Sequence, residues 1–197
     1  MIVDKECQLL GRTPGLPEDV FEHDGLITKR TLRASALAHL RPMPGELLWD
    51  VGTGAGSIAV EWCRAVDGAR AIGLEVKPER AARARSNAER LTPDGAFVVV
   101  EGPAEELLPE LERPDAVFVG GGGTMRVLEH AMDALPDGGR LVVHGITLEA
   151  ELLCAEAYRR WGGELSRLAT EQASPLGTLT GWTPARTLTQ WVHLRSR

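Results

Sequence analysis

The sequence predicts an α/β protein whose doubly wound, mostly parallel sheet of seven strands ends in an antiparallel hairpin. Between residues 46 and 161, apolar strand-like runs alternate five times with segments of helical periodicity. Such alternation is typical of parallel strands joined by crossover helices on both faces of a sheet. The end of the chain differs, because residues 164–171 and 187–194 resemble two strands with no helix between them.

The individual elements follow from breakers and periodicity. Thr28 is placed as the N-cap of a first helix, which Pro42 and Gly45 end. The predicted strands are 46–51, 69–76, 96–100, 115–120 and 139–145, and the predicted helices between and after them are 57–66, 78–91, 104–111, 124–135 and 148–161. The connection between the two last strands contains prolines and glycines and is interpreted as a loop.

The chain length of 197 residues fits one domain with a substantial core. We expect an irregular N-terminal segment over 1–27, where prolines and glycines are frequent, and a single domain over 28–197. No internal repeat and no second domain are expected.

Bulk composition excludes several classes of function. A formal charge of −6 argues against a nucleic-acid partner, and no apolar run is long enough to span a membrane. The first 30 residues show no signal peptide, so a cytoplasmic protein is expected. The sparse cysteines Cys7, Cys63 and Cys154 favour a reducing compartment. The histidine spacing predicts no metal site.

A glycine-rich turn follows the first predicted strand. Gly52, Gly54 and Gly56 separate that strand from a helix, and Asp50 lies two residues before the first glycine. A dinucleotide fingerprint would carry its third glycine at position 57, which is Ser57 here. The pattern DxGxGxG therefore favours a ligand without phosphates, and S-adenosylmethionine is the predicted cofactor, bound along residues 52–56.

Two further strand ends complete the predicted cofactor site. Glu75 closes the second strand, where a carboxylate can accept hydrogen bonds from both hydroxyls of a ribose. Ala104 begins the helix after the third strand, and its N–H is predicted to lie beside the adenine. Glu75 alone does not separate S-adenosylmethionine from NAD.

Four consecutive glycines, 120–123, end the fourth strand and begin a helix. A side-chain-free loop lets a large planar substrate approach, so Gly121 and Gly122 are candidates for the substrate side of the site. The motif NPPY, which many amino-methylating enzymes of nucleic acids carry here, is absent.

The sequence resembles the CbiT-type precorrin methyltransferases, which include the carboxyl-terminal half of the two-domain precorrin-6Y methyltransferases of cobalamin biosynthesis. The matching pieces are LPEDVFEHDG, ITKRTLRA, LWDVGTGAGSIAVEW, Glu75, EGPAEEL and VFVGGGG, within residues 11–150. The resemblance implies the class I S-adenosylmethionine-dependent methyltransferase (Rossmann-like) fold.

It further implies methylation of a precorrin at carbon 15, coupled to decarboxylation of the acetate arm on carbon 12. The implied cofactor residues are Thr28, Gly52, Thr53, Gly54, Ala55, Gly56, Glu75 and Ala104. A homotetramer is also implied, together with a fused or separate domain that methylates carbon 5. No residue is predicted to transfer a proton, because the conjugated macrocycle supplies both the nucleophile and the electron sink.

A polycarboxylate substrate requires cations near the cofactor. The start of the first helix carries three cations, Lys29, Arg30 and Arg33. One or two of them are candidates to bind carboxylate arms of the substrate; the alternative is that they form a solvated helix face. The arginines 80, 83, 85 and 90 are interpreted as solvated. His144 lies at the end of the fifth strand. It is either a hydrogen-bonded structural histidine or a residue that faces the substrate.

Three alternatives stay open on the sequence alone. A class I methyltransferase acting on another small molecule, RNA or protein would share residues 46–104. A nicotinamide-dependent reductase is disfavoured by Ser57 and Asp50. An inactive cofactor-binding subunit of the corrinoid pathway is the third alternative.

Overall fold

The computed structural model describes residues 10–196, which form six α-helices and nine β-strands. The helices are α1 Arg30–Leu40, α2 Ser57–Ala65, α3 Pro78–Leu91, α4 Ala104–Leu107, α5 Met125–Ala134 and α6 Leu148–Trp161. The strands are β1 Leu47–Val51, β2 Arg70–Glu75, β3 Phe97–Glu101, β4 Ala116–Val119, β5 Arg140–Gly145, β6 Glu164–Leu168, β7 Glu171–Leu176, β8 Leu179–Pro184 and β9 Leu188–Leu194. Single 3-10 turns lie at Glu18–Val20 and Leu108–Glu110.

Seven strands form one sheet in the order β3-β2-β1-β4-β5-β9-β6. The first five pair in parallel, and β9 runs antiparallel between β5 and β6. This confirms the predicted fold class. The winding direction reverses between β1 and β4, and at such a switch point the carboxyl ends of the strands leave a crevice for a ligand.

Every position of β1 and β4 is buried, because helices cover both faces of the sheet. On one face α1, α2 and α3 pack in a core that contains Trp62. On the other face α5 and α6 pack against Trp49 and Trp191. Helix α2 is buried on nearly all sides, which explains its apolar sequence.

The first helix begins one residue later than the sequence predicts. Thr28 is not its N-cap; Lys29 occupies that position with an extended backbone and no side-chain capping bond. The Glu18 carboxylate instead accepts the N–H of Arg30 at 3.3 Å. This tertiary acceptor replaces the local cap that the sequence suggested.

Residues 171–184 are also not a plain loop. Strands β7 and β8 form a separate two-stranded antiparallel sheet. Pro175 and Pro184 had favoured a loop, but both strands are edges, where a missing N–H is tolerated. The resulting hairpin presents Leu176, Leu179 and Trp182 to solvent, each at least 70% exposed.

The segment before α1 is fixed to the core by a buried ion pair. Arg33 and Glu61 are nearly inaccessible to solvent and contact each other. The Glu61 carboxylate accepts the N–H groups of Gly15 and Leu16, and Arg33 donates to the Leu16 carbonyl. Arg33 thus positions the segment that leads to the site.

Parts of two predictions lie outside the described residues, namely the first nine residues of the irregular segment 1–27 and Cys7. Cys63 and Cys154 are buried free thiols. Within 10–196, no helix is long and apolar enough to cross a membrane. In the same range, no group of three or more His, Cys, Asp or Glu side chains could hold a metal ion.

Candidate active site

A cavity of about 1340 Å³ opens at the carboxyl ends of β1, β2, β4 and β5. The segment before α1, the start of α4 and the β8–β9 connection complete its wall. It lies at the topological switch point, where the fold is expected to bind its ligand.

The cavity brings together most of the site residues that the sequence predicts. Those on its wall are Thr28, Lys29, Gly52, Thr53, Gly54, Ala55, Glu75, Ala104, Gly121, Gly122 and His144. Gly56 and Arg30 do not line it. Gly56 begins α2 with its Cα against the ring of Phe97, and the Arg30 side chain lies over Gly15.

The three glycines of the first turn exclude side chains for different reasons. A Cβ at Gly52 would lie 2.4 Å from the carbonyl oxygen of Gly121, and one at Gly56 would lie 2.6 Å from Phe97. Both glycines therefore serve protein packing. At Gly54, with φ of +58°, a Cβ would meet only one atom, at 4.0 Å. Only Gly54 leaves its backbone open to a ligand.

Asp50 holds the turn from below. Its Oδ2 accepts the Thr53 hydroxyl at 2.6 Å and the Ala59 N–H at 3.3 Å. Burial raises the pKa of Asp50 to about 6; these two hydrogen bonds oppose the rise, and the charge of Glu75 adds to it. Asp50 is therefore a structural residue under the cofactor turn.

Glu75 lies on the opposite side of the same turn. Its Oε2 accepts the Gly54 N–H at 3.0 Å, and its Oε1 accepts the Lys77 N–H at 3.1 Å. The side chain is 5% exposed and lines the cavity. Each oxygen retains a lone pair, so the carboxylate is oriented to accept two further hydroxyl donors.

The second glycine loop packs directly on the first. The N–H groups of Gly120 and Gly121 both donate to the Val51 carbonyl, and the Gly121 backbone touches Gly52. A Cβ at Gly122 would meet nothing within 4 Å. The open part of this loop, predicted for the substrate side, therefore lies at Gly122.

His144 is both hydrogen-bonded and on the cavity wall. Its Nε2 lies 2.9 Å from Oε1 of Gln190, which also accepts the Ser35 hydroxyl, and its ring packs edge-on against Phe118. Burial lowers the pKa of His144 to about 4; the hydrogen bond to Oε1 of Gln190 opposes this shift, and the charge of His39 adds to it. The imidazole is therefore neutral near pH 7.

The structure separates the three cations that the sequence placed at the first helix. Lys29 reaches the cavity and pairs with Glu18 at 2.7 Å. Arg30 lies off the cavity, and Arg33 is buried against Glu61. Of the three, only Lys29 is available to a ligand.

Sequence reasoning missed four other cations on the wall: Lys77, Arg80, Arg126 and Arg186. Arg80 had been interpreted as solvated, but it faces the cavity and binds Asp24. The position of Arg126 just after the glycine loop was a usable signal. Arg186 had none, because its neighbourhood depends on the unpredicted β7–β8 hairpin.

The strand order, the antiparallel β9 and the glycine turn at the end of β1 together define the class I S-adenosylmethionine-dependent methyltransferase fold. A family model described as "Precorrin methyltransferase domain" matches residues 19–195. The chain belongs to the precorrin methyltransferase family.

Individual relatives agree with this family. The chain is 46% identical over 189 residues to a protein of Sinorhizobium sp named precorrin-6Y C(5,15)-methyltransferase [decarboxylating], covering 95% of this chain and 46% of the relative. It thus spans about half the length of that relative. A probable cobalt-precorrin-6B C(15)-methyltransferase (decarboxylating) of Pyrobaculum aerophilum is 32% identical over 179 residues, which are 87% of this chain and 91% of that protein.

Among solved structures, the C-terminal domain of precorrin-6Y C5,15-methyltransferase from Rhodobacter capsulatus superposes with a TM-score of 0.88. It is 41% identical, and the match covers 94% of this chain and all of that domain.

Proposed function

We propose that this chain transfers a methyl group from S-adenosylmethionine to carbon 15 of a precorrin and decarboxylates the acetate arm on carbon 12, in cobalamin (vitamin B12) biosynthesis. The carrying observation is the cavity that joins the open Gly54 backbone and the oriented Glu75 carboxylate to a second glycine loop. The substrate class is taken from the names of two relatives, one a precorrin-6Y and the other a cobalt-precorrin-6B methyltransferase.

The residues present fit the proposed cofactor. Glu75 would accept the ribose hydroxyls, and the open backbone at Gly54 would lie along the amino-acid moiety. The Ala104 N–H, which has no acceptor among the described residues, would face the adenine. Thr28, Thr53 and Ala55 line the same side of the cavity.

The cavity is larger than one small ligand needs. Ligand pockets usually enclose about 300–1,000 Å³, and this one encloses about 1340 Å³. Gly121, Gly122, Lys29 and His144 line the cavity, and we propose that the macrocycle binds beside them.

The chemistry asks the protein for placement rather than for a strong acid or base. S-adenosylmethionine supplies the methyl group, and the C–S electron pair stays on sulfur. The conjugated macrocycle supplies the electron pair for the new carbon–carbon bond. Carbon 15 then loses its proton to water, which restores the conjugation. When the arm loses carbon dioxide, the released pair enters the same conjugated system, and the arm carbon takes up one proton from water. Holding the two reactants in line contributes most of the rate.

A neutral His144 agrees with this division of roles. An imidazole whose pKa is about 4 is not an acid at neutral pH. Its edge-on contact with Phe118 and its bond to Gln190 fix it as part of the wall. We therefore propose that His144 shapes the substrate side rather than moving a proton.

The decisive experiment is turnover with methyl-labelled S-adenosylmethionine and the carbon-5-methylated precorrin. The expected product carries one new methyl group and has lost one carbon dioxide. Glu75→Gln should reduce turnover, whereas Glu101→Gln, at the paired position on β3, should not. Binding of the cofactor without label transfer would reject the activity, and binding of NADH instead would reject the class.

We further propose a cytoplasmic homotetramer that works with a fused or separate carbon-5 methyltransferase domain. Trp182 is the tryptophan that we propose for the interface, because it is exposed, whereas Trp161 and Trp191 stack on each other within the chain. Light scattering should give four times the chain mass of 21.3 kDa. Trp182→Lys should lower it, and a monomeric wild-type chain would reject the tetramer.

A further inference from the structure

The cations on the cavity wall fall into two groups, paired and unpaired. Lys29 and Arg80 each bind a carboxylate, from Glu18 and Asp24 respectively. The exposed side chain of Lys77 has no partner among the described residues and lies at the Glu75 side of the wall. Arg126 and Arg186 are exposed and have no hydrogen-bond or ion-pair partner among the described residues. In a chain with a net charge of −6, two unpaired guanidinium groups face one cavity.

The two arginines flank the second glycine loop. Arg126 is the second residue of α5, the helix that follows Gly120–Gly123. Arg186 lies in the β8–β9 connection, and β9 pairs with β5, the strand beside β4. Gly122 and Arg126 thus both follow β4, whereas Arg186 precedes β9, two strands further along the sheet, and all three line the cavity.

The position of Arg126 carries an electrostatic cost. A cation in the first turn of a helix interacts unfavourably with the positive end of the helix dipole. The first turn of α5 itself holds no acidic residue, whereas α3 and α6 begin with glutamates. The carboxylate at its N-cap is that of Glu105 on α4, which accepts the Thr124 hydroxyl. An anionic ligand at this place would remove that cost.

The Arg186 backbone is anchored on both sides. The Ala185 N–H donates to the Thr170 carbonyl at 2.9 Å, which closes the base of the β7–β8 hairpin. Leu188, two residues further on, is buried and lines the cavity. The hairpin base thus holds the Arg186 side chain at the cavity mouth.

We infer that Arg126 and Arg186 form a two-point clamp for carboxylate arms of a tetrapyrrole substrate. This inference rests on the proposed function and deepens it by naming the residues that recognise the substrate. Guanidinium groups form paired, charge-assisted hydrogen bonds with carboxylates, and two groups on different elements select a ligand with carboxylates at its edge. The anions of the wall, Asp50, Glu75, Glu105 and Glu106, belong to β1, β2 and α4.

The test uses uroporphyrin I, a porphyrin octacarboxylate, as the probe in fluorescence titrations of the full chain. Arg126→Gln and Arg186→Gln should each raise its dissociation constant roughly 5- to 10-fold, and the double variant roughly 30- to 100-fold. Arg159→Gln is the control, because it removes the same charge from an exposed site on α6 away from the cavity. It should change the constant by less than about twofold.

S-adenosylmethionine binding, measured by calorimetry, should be the same in all four proteins and the wild type. Failure of the wild type to bind the porphyrin, or equal constants for the cavity variants and Arg159→Gln, would overturn the clamp. If the double variant transferred label to a precorrin as well as the wild type does, the clamp would be overturned and the methyltransferase activity would stand. Porphyrin binding through both arginines without any label transfer would instead reject the methyltransferase activity and leave the clamp standing.

Discussion

The two halves of the cavity wall are built in opposite ways. The half that we propose binds the cofactor (the cofactor half) consists of buried groups whose hydrogen bonds are made within the protein: Asp50 under the turn, Glu75 beside it, and Gly52 against the backbone of Gly121. The half that we propose binds the substrate (the substrate half) consists of the open Gly122 backbone and the exposed, unpaired Arg126 and Arg186.

The two halves therefore differ in what fixes their side chains, which is the protein itself in one half and the bound ligand in the other. The cofactor half is preorganised by the fold, so its substitution should disturb the protein even without a ligand. The substrate half leaves charges for the ligand to neutralise, so its substitution should be silent until the ligand binds.

The largest expected effect is that of Gly52→Ala. Its Cβ would overlap the Gly121 backbone, and its φ of +68° adds strain, so the free energy of unfolding should fall by roughly 3–5 kcal/mol. Denaturant unfolding measures it. Gly122→Ala, with φ of +63° and open space, should lose only about 1–2 kcal/mol. Equal losses would show that the two glycine loops do not support each other.

Asp50→Asn should change how stability depends on pH. Because the pKa of Asp50 is raised from 3.8 to about 6, the folded chain holds the proton more tightly than the unfolded chain. Its contribution to stability is therefore present at low pH and lost as pH rises through about 6. The free energy of unfolding of Asp50→Asn minus that of the wild type should increase by about 3 kcal/mol between pH 4 and 7. A flat difference would contradict a buried carboxylate.

His144→Gln should show the opposite slope. Because the pKa of His144 falls from 6.5 to about 4, its contribution is present above pH 6.5 and lost as pH falls towards 4. Relative to this variant, the wild type should lose about 3 kcal/mol over that window. NMR of the imidazole provides a direct check, since a resonance that titrates near 6.5 would contradict the assignment.

Glu75→Gln is expected to act mainly on the cofactor. A glutamine has a single acceptor oxygen and no charge, so the dissociation constant of S-adenosylmethionine should rise roughly 10- to 50-fold. Calorimetry measures it. Glu101→Gln, at the paired strand end but bound to exposed Arg85, is the control and should bind normally. Equal affinities in both variants would place the ribose elsewhere.

The cofactor half was readable from the sequence because its signals are local. The turn after β1 and the acidic end of β2 were predicted at their observed positions, and α6 was predicted with its observed bounds. The role of each glycine could not be predicted, however. Only the structure shows that Gly52 and Gly56 serve packing, because Gly121 and Phe97 approach them closely.

The substrate half was not readable because it depends on tertiary contacts. The β7–β8 hairpin, which brings Arg186 to the cavity, was interpreted as a loop on account of its prolines. Arg33, predicted near the substrate, is taken up by Glu61, which lies 28 residues away along the chain. A charge pattern does not reveal which cation will find a buried partner.

The most direct test of this contrast is a crystal structure with S-adenosylhomocysteine. We expect both ribose hydroxyls within hydrogen-bond distance of Glu75, the amino-acid moiety along Gly54, and the sulfur directed towards the space between Gly122 and Arg186. A ribose away from Glu75, or a sulfur directed towards α4, would contradict it.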